Sequence, residues 1–186
     1  MSQTTDERIH WTTSDIERLP ESSNRYEIID GELFATRAPH WKHQKTCGNV
    51  GSIGITMQMF AMDVSHRSRR LKALKYDADN VIPDVVWISK TRLAVALDEA
   101  GHLPELAIEV LSPGLANEQR DREAKLKLYG SRGVQECWIL NWQLQQVELY
   151  RRQQAMLKLV ATLLNDDLLT SPLLPNFTCP ISRFFL

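Results

Sequence analysis

Two carboxylate side chains interrupt apolar segments of this chain, and they are its first candidates for chemistry. Asp84 stands at the start of the apolar run VVWI, and Glu109 lies inside the apolar run LAIEVL. A carboxylate that is buried without a partner costs several kcal/mol, so strands of this kind normally exclude it. Two such carboxylates on neighbouring strands could instead bind a hard divalent cation through their oxygens. The pattern therefore predicts a Mg²⁺ or Mn²⁺ site at Asp84 and Glu109.

A lysine on a later, charged segment could act beside this cation. Asp121 and Lys125 are four residues apart in a predicted helix, so they lie on one face of it. If that face is directed toward the strand ends, the Lys125 ammonium can stabilise negative charge that develops on a phosphoryl oxygen. Together with the cation, these residues predict hydrolysis of a phosphodiester bond.

Each of these residues also has a purely structural interpretation. An Asp that follows a proline, as Asp84 does, is also typical of a turn or of the start of a strand. Glu109 could face the edge of a sheet or form a salt bridge. Asp121 and Lys125 could be an ordinary exposed ion pair, worth roughly 0.2–0.5 kcal/mol. Both interpretations stay open at this point.

The first half of the chain predicts a hairpin followed by a helix. The pair Asp30-Gly31 separates two apolar runs, which is a strong signal for a β-hairpin with strands at about 25–30 and 32–37. Apolar residues then recur at helical spacing over about 43–62. This helix would present one apolar stripe to a sheet.

The second half predicts apolar strands that alternate with a helix. The runs VIPDVVWIS, LAIEVL and CWIL have the composition of strands that are buried on both faces. Between the last two, Asn117 is the predicted N-cap of a charged helix over about 118–130, and Gly133 lies past its end. A strand, a helix and a strand in this order predict a parallel pair. VELYRR and LKLVATLL predict one more hairpin, so we expect an α/β fold with a sheet covered on both faces.

Length and composition predict one ordinary globular domain. The 186 residues are enough for one hydrophobic core and too few for a second full domain, so we expect a single domain over 1–186. Within it, Thr13-Ser14-Asp15 predicts a short capped helix, and 1–20 should be a peripheral N-terminal segment. The composition is typical of folded proteins and indicates no particular chemistry.

Charge and cysteine content exclude several classes of protein. The net charge of −1 argues against a protein that coats nucleic acid through a general excess of basic residues. Cys47, Cys137 and Cys179 stand far apart and form no C-x-x-C motif, so neither a disulfide framework nor a zinc ribbon is expected. No apolar run approaches the roughly 20 residues of a transmembrane helix, and the N-terminus does not resemble a signal peptide. We therefore expect a cytoplasmic protein with no membrane partner.

The sequence offers two kinds of residue that could contact a nucleic acid. The segment RSRRLKALK, just before the Asp84 strand, contains no acidic residue. Its basic patch consists of Arg67, Arg69, Arg70, Lys72 and Lys75. The patch could bind backbone phosphates near the cation, or it could be a solvated strand edge whose charge prevents aggregation. The tryptophans are expected in the core or at an interface rather than as stacking platforms: Trp41, Trp87, Trp138 and Trp142.

Several stretches occur in the order found in one known family. They are YEIIDGEL (26–33), His43-Gln44, IPDVVWI (82–88), LAIEVLSP (106–113), the helix Asp121-x-x-x-Lys125-x-x-x-Tyr129, GVQECWILN (133–141) and LLTSPLLPNF (168–177). In these stretches the chain resembles the Uma2 family of proposed restriction endonucleases, within the PD-(D/E)XK nuclease superfamily. The resemblance covers nearly the whole chain, from Tyr26 to the C-terminus.

The resemblance implies a fold and an activity. The fold would be a restriction-endonuclease-like core, with a central mixed β-sheet flanked by helices and with N-terminal and C-terminal hairpins. The activity would be that of a Mg²⁺-dependent or Mn²⁺-dependent endonuclease acting on DNA, with Asp84 as the motif's Asp and Glu109 as its second acid. The motif's Lys would stand two residues after Glu109, where this chain has Leu111, and Lys125 matches the position from which related members supply it instead. By analogy with endonucleases that cut both strands, we expect a homodimer.

The resemblance also adds two candidate residues and one departure. Glu32 matches an acidic position that could be a ligand or a structural charge, and His43 matches a position at the start of the first long helix. The loop Ser112-Pro113-Gly114 lacks the hydroxyl residues that related sequences often have after the proline. Two hypotheses therefore stay open beside the nuclease: an inactive nuclease fold that binds nucleic acid or acts in regulation, and an interaction scaffold whose acids serve only structure.

Overall fold

The N-terminal part of the chain forms a four-stranded antiparallel sheet. The structure is a computed structural model, and it describes residues 10–20, 22, 24–55, 74–76, 79–92 and 104–186. After the short helix α1 (Thr13–Ile16), the sheet contains β1 (Arg25–Ile29), β2 (Glu32–Thr36), β3 (Leu74–Tyr76) and β4 (Asp79–Val81), in the order β2-β1-β4-β3. The backbone N–H of Trp11 donates to the carbonyl oxygen of Gly31 at 2.8 Å, which holds the segment before α1 against this sheet.

The N-terminal hairpin is confirmed to within one residue at each strand end. Its turn residues, Asp30 and Gly31, have φ values of 53° and 75°. A two-residue hairpin turn of this kind requires left-handed backbone, which glycine adopts freely and Asp tolerates. A Cβ on Gly31 would also lie only 2.1 Å from Nδ1 of His10. Local turn chemistry thus sets the register in which Ile28 lies opposite Leu33.

A five-stranded mixed sheet forms the centre of the fold. Its strands, in spatial order, are β5 (Val85–Trp87), β6 (Leu106–Val110), β7 (Glu136–Asn141), β8 (Gln146–Gln153) and β9 (Met156–Leu164). β6 and β7 are parallel, whereas the other neighbouring pairs are antiparallel. The predicted α/β class, the parallel pair and the C-terminal hairpin of β8 and β9 are therefore confirmed.

Helices cover both faces of the central sheet. On one face, Val50 packs in a core with Trp138. On the opposite face, Tyr129 packs with Ile139. The helical elements are α2 (Trp41–Ile55) on the first face and, on the second, the continuous run of α3 (Leu115–Gln119), a π-helical segment (Arg120–Lys125) and α4 (Leu126–Arg132).

The predicted helix boundaries are partly wrong. α2 begins at Trp41, two residues early, and its predicted C-terminal end lies outside the described residues. The charged helix begins at Leu115 rather than near 118, because Gly114, with φ of 116°, occupies the N-cap. Asn117 was therefore wrongly predicted as the N-cap. It lies in the first turn, where its Nδ2 donates to the carbonyl oxygen of Pro113 at 2.9 Å.

The C-terminal segment packs against the same face of the central sheet as α2. β10 (Leu168–Thr170) and β11 (Thr178–Pro180) form a small antiparallel sheet, and a 3₁₀ helix (Ile181–Phe184) follows. The ring of Phe184 stacks on Trp138 with centroids 6.4 Å apart. Within the described part of the chain, no helix has both the length and the apolar character needed to cross a bilayer.

Candidate active site

Asp84 and Glu109 lie side by side at one end of the central sheet. β5 and β6 are antiparallel with Val85 opposite Ile108, so Asp84 and Glu109 occupy the next opposed positions and project to the same face. Oδ2 of Asp84 accepts a hydrogen bond from the backbone N–H of Val110 at 2.9 Å. The exposed fractions of Asp84 and Glu109 are 8% and 1%. The two acids that interrupt apolar runs are therefore neighbours, and both are buried.

The ammonium of Lys125 enters the same cluster from the helical layer. Its Nζ donates to Oε2 of Glu109 at 2.9 Å, and the hydroxyl of Tyr129, one turn later, donates to Oε1 of the same carboxyl group. Nζ also lies 3.1 Å from Oε1 of Glu27 and 3.6 Å from Oδ1 of Asp121. Lys125 is 0% exposed. Three carboxyl groups, rather than water, therefore compensate its charge.

The π-helical segment supplies several of these groups at once. Arg120, Asp121 and Lys125 are its buried residues. Nη2 of Arg120 lies 2.9 Å from Oδ1 of Asp121, and Nη1 of Arg120 donates to the hydroxyl of Thr36 on β2. Single π-helical turns within α-helices occur frequently at functional sites. Here the π-helical turn directs the carboxyl group of Asp121 and the charged groups of Arg120 and Lys125 into the space between the two sheets.

Glu27 completes the cluster, although it was not among the predicted residues. It lies on β1, is 0% exposed, and its Oε1 accepts a hydrogen bond from the backbone N–H of Ile82 at 2.8 Å. Its Oε2 is buried and accepts no hydrogen bond from the described residues. Nη2 of Arg25 and Nε of Arg120 lie 3.8 and 3.7 Å from that oxygen. The signal that identified Glu109, a carboxylate inside an apolar strand, is also present in RYEII.

Burial and neighbouring charges move the two carboxyl pKa values apart. Burial raises the pKa of Glu109 to about 8; Lys125 opposes this shift, and the carboxylates of Asp84 and Asp121 add to it. Burial would also raise the pKa of Asp84, but the His43 imidazole, whose Nε2 lies 3.2 Å from Oδ2, holds that pKa well below its usual range. At neutral pH and without a cation, Asp84 is ionised and Glu109 keeps a proton. Neighbouring acids with separated pKa values are typical of catalytic sites.

His43 and Cys47, on successive turns of α2, extend the cluster toward the surface. His43 is 5% exposed and Cys47 is half-buried. Sγ of Cys47 lies 3.6 Å from Nδ1 of His43. One ligand atom each from His43, Cys47 and Asp84 lie within 4.8 Å of one another, a spacing compatible with one metal ion. The predicted candidate His43 therefore lies next to Asp84.

The donor set fits a divalent cation. Four carboxyl groups meet three permanently charged side chains: Glu27, Asp84, Glu109 and Asp121 face Arg25, Arg120 and Lys125. While Glu109 keeps its proton the charges of this cluster balance; a bound cation would favour the ionised form of Glu109 and compensate the negative charge that its ionisation adds. The oxygens of Asp84 and Glu109 suit Mg²⁺ or Mn²⁺, whereas the imidazole of His43 suits a transition-metal ion. The buried Oε2 of Glu27 accepts no hydrogen bond from the described residues, although two guanidinium groups lie within 3.8 Å of it, so one acid oxygen of the cluster still lacks a donor.

Glu32 lies apart from this cluster, and most of the predicted basic patch lies outside the described residues. Glu32 is exposed at the turn end of the hairpin, opposite Ile29. It shares a sheet face with Glu27, but Glu27 is the acid that reaches Lys125, because it lies further from the turn. Of the basic patch, Lys75 lies on β3. The remaining members lie outside the described residues: Arg67, Arg69, Arg70 and Lys72.

The structural interpretation of the helix pair is corrected. Asp121 and Lys125 do not form an exposed ion pair, since their side chains are 2% and 0% exposed. The helical run lies against the N-terminal sheet, so water is replaced by Glu27 and Thr36 around its charges. The sequence carries no signal for the burial of Arg120, because an arginine in a charged helix is normally solvated.

Comparisons with known proteins identify a family and a fold. The family model Uma2, described as "Putative restriction endonuclease", matches residues 13–182. A crystal structure described as that of a "putative nuclease belonging to DUF820" from Anabaena variabilis has a TM-score of 0.66 and 19% sequence identity, over 94% of this chain and 97% of that chain. At this identity the likeness shows a shared fold. No curated protein matches the chain.

Proposed function

Because this chain belongs to the Uma2 family of restriction-endonuclease-like proteins, we propose that it is a nuclease that hydrolyses phosphodiester bonds of DNA with the help of Mg²⁺ or Mn²⁺. The family match over 13–182 and the nuclease fold of its structural neighbour support a nuclease. In this proposal Asp84 and Glu109 hold the cation, and Lys125 acts beside it.

One observation carries the proposal. The charged side chains that could catalyse phosphodiester hydrolysis converge, although they come from the residue before β5, from β6 and from the helical run. Nζ of Lys125 lies 2.9 Å from Glu109, and the carboxylate of Asp84 accepts from the N–H of Val110, the residue next to Glu109. Three cationic side chains can balance three ionised acids of this cluster, and a divalent cation is the additional partner that would suit the fourth.

Each side chain has a distinct role in the proposed reaction. When bound, the cation would polarise the phosphate and lower the pKa of a water molecule. Asp84 supplies a permanently ionised ligand, because His43 keeps its pKa low. The carboxyl group of Glu109 has a pKa of about 8 without the cation, so it can exchange a proton near neutral pH. The Lys125 ammonium, held by Glu27, stabilises negative charge on a phosphoryl oxygen.

Three further features belong to the proposal. DNA is the proposed substrate because the family is one of restriction endonucleases. A homodimer would let two copies of the site reach both strands of a duplex, and most soluble oligomers are symmetric dimers. We place the activity in the cytoplasm, since Cys137 and Cys179 are buried and free, which suits a reducing compartment.

A second candidate function is a nuclease fold that binds nucleic acid or acts in regulation without turnover. One observation favours it: both oxygens of Glu109 already accept hydrogen bonds, from Lys125 and from Tyr129, and the residue is 1% exposed. In addition, Leu111 stands where the superfamily motif has its lysine. If a cation cannot displace these partners, the site would bind without cleaving.

A plasmid-nicking assay tests the proposal. Purified protein is incubated with supercoiled plasmid in Mg²⁺, in Mn²⁺ and in EDTA. We expect nicking that requires the metal and that falls by about 100-fold or more in Asp84→Asn, Glu109→Gln and Lys125→Met. The matched control is Lys127→Met, in the same helical run, whose side chain is 76% exposed and which should keep full activity.

The assay also separates the two candidates. Metal-dependent nicking that persists in Asp84→Asn would rule out the proposed ligand set. If the wild type binds plasmid but cleaves neither DNA nor RNA with either metal, the non-catalytic function is supported instead.

A further inference from the structure

A group of aromatic rings, exposed at His40 and Trp41 and half-buried at Trp142, lies on the elements that lead to the acid cluster, and the proposed hydrolysis does not use it. We call His40, Trp41, Lys42 and Trp142 the aromatic platform. The rings of His40 and Trp142 are stacked, with centroids 5.2 Å apart and an interplanar angle of 5°. Nζ of Lys42 lies 5.8 Å from the ring centroid of Trp41 and 5.6 Å from that of Trp142. Trp41 itself is 60% exposed, so of the two places expected for it, the core and an interface, the core is excluded.

The platform is joined directly to the elements that carry the candidate site. Nε1 of Trp142 donates to the carbonyl oxygen of Leu111 at 3.1 Å, and Leu111 follows Glu109 by two residues. At about 3.3 Å per residue, this is a separation of roughly 7 Å along the strand. Trp41 precedes His43 by two residues at the start of α2. The platform is therefore joined to the segment that follows Glu109 and to the first turn of the helix that carries His43.

The geometry of the platform suits a flat ligand. Hydrogen bonding to Leu111 and stacking on His40 hold Trp142 in one orientation. Trp41 is tilted by 35° to His40 and leaves most of its surface to solvent. Aromatic side chains that are ordered before binding lose little entropy when a base stacks on them, and every nucleobase has a face that can stack.

The charges around the platform suit a nucleic-acid strand. α2 contains no acidic residue, and its first turns expose Lys42 and Lys45. These ammonium groups can contact phosphates beside a stacked base. With a net charge of −1 over the whole chain, such contacts depend on local patches of this kind.

We propose that the aromatic platform stacks an unpaired nucleobase next to the scissile phosphate, so that the preferred substrate is a nucleic acid that is single-stranded or unpaired at the cleavage position. In an intact duplex the faces of the bases are already stacked on one another, so Trp41 would have no free face to contact. This inference rests on the proposed function, because it takes a nucleic acid as the substrate.

Binding measured without turnover tests the inference. The probes are a fluorescein-labelled single-stranded DNA of about 16 nucleotides, within the site size of small single-strand-binding domains, and the blunt duplex of the same sequence. In EDTA we expect the wild type to bind the single strand more tightly than the duplex. Trp41→Ala should weaken single-strand binding at least about fivefold, the lower range for loss of one stacked base. Trp41→Phe should restore it, and Leu168→Ala, which removes a side chain of similar exposure (57%) on β10, should have no effect.

Intrinsic fluorescence gives an independent readout. Addition of the unlabelled single strand should quench the tryptophan emission of the wild type, and Trp41→Phe should lose most of this quenching while it keeps the affinity. Unchanged single-strand affinity in Trp41→Ala, or equal affinity of the wild type for both probes, overturns the inference. Metal-dependent nicking by a Trp41→Ala protein with wild-type affinity would overturn it while the proposed function stands. A wild type that neither binds nor cleaves any nucleic acid would contradict the proposed function itself.

Discussion

Replacement of Lys125 by Met is expected to destabilise the protein strongly. Met is similar to Lys in length, so the substitution removes the charge and little packing volume. Nζ lies 2.9 Å from Glu109, 3.1 Å from Glu27 and 3.6 Å from Asp121, and the side chain is fully buried. Removing one partner of a buried ion pair costs about 3–5 kcal/mol, because the remaining charge is left uncompensated. That is a large share of a typical free energy of unfolding of about 5–15 kcal/mol.

This loss should grow with pH. Lys125 opposes the burial that raises the pKa of Glu109 to about 8, so its removal raises that pKa further. A protonated Glu109 carries no charge that Lys125 must compensate, and Lys125→Met therefore lowers the free energy of unfolding least near pH 5. As the pH rises, the folded variant must keep a proton that its unfolded chain has released. Up to about pH 8 folded wild type also keeps this proton, so the difference between the two proteins grows only above about pH 8, by up to about 1.4 kcal/mol per pH unit.

Urea denaturation followed by tryptophan fluorescence measures both effects. The free energies of unfolding of wild type and Lys125→Met are compared near pH 5 and near pH 9, on either side of the pKa of about 8. The control is Lys127→Met: Lys127 is 76% exposed and pairs with the exposed Asp30, so its change should stay within about 1 kcal/mol. In the double variant Lys125→Met/Glu109→Gln the losses should be less than additive, by about 0.5–3 kcal/mol. Equal losses in Lys125→Met and Lys127→Met at both pH values would refute the reasoning.

Three more outcomes are expected. The free energy of unfolding of wild type should contain a component that falls between about pH 5 and 8, because the folded state keeps the Glu109 proton that the unfolded state, with a pKa near 4.5, has lost. In urea denaturation across that range, Glu109→Gln should remove this component. An unchanged pH profile in Glu109→Gln would contradict the assigned pKa shift. Mg²⁺ or Mn²⁺ should raise the Tm of wild type and not of Asp84→Asn in scanning fluorimetry, whereas equal rises would exclude Asp84 as a ligand. Gly133→Ala should lower the free energy of unfolding by about 1 kcal/mol, since Gly133 ends α4 with φ of 98°. The rise in Tm that Mg²⁺ causes should be the same in this variant as in wild type.

The elements of the fold were largely predictable because their signals act between near neighbours in the chain. The Asp30-Gly31 turn, the apolar runs of the central strands and Gly133 at the helix end each specify local backbone. The helix start was predicted wrongly for the same reason. Asn117 is a good N-cap residue locally, but the left-handed Gly114 had already ended the preceding loop.

The acids of the candidate site could be identified from the sequence by a single energetic rule. A carboxylate within an apolar strand needs a partner, because its burial is otherwise too costly. The rule pointed to Asp84 and Glu109, and applied to RYEII it would also have pointed to Glu27. The rule identifies the carboxylates whose charge must be compensated, but not the side chains that compensate it.

The sequence by itself determined the class of fold, the order of its elements and two of the acids that need compensation. Only the tertiary structure decided which side chains compensate them, which of two similar acids in the hairpin is buried, and which tryptophan is left in solvent. Arg25 contacts Asp84 across 59 residues of chain, and Arg120 reaches Thr36 across 84. The physical reason is that charge compensation and exposure depend on contacts between elements, and no periodicity within one element records what the next element will place against it.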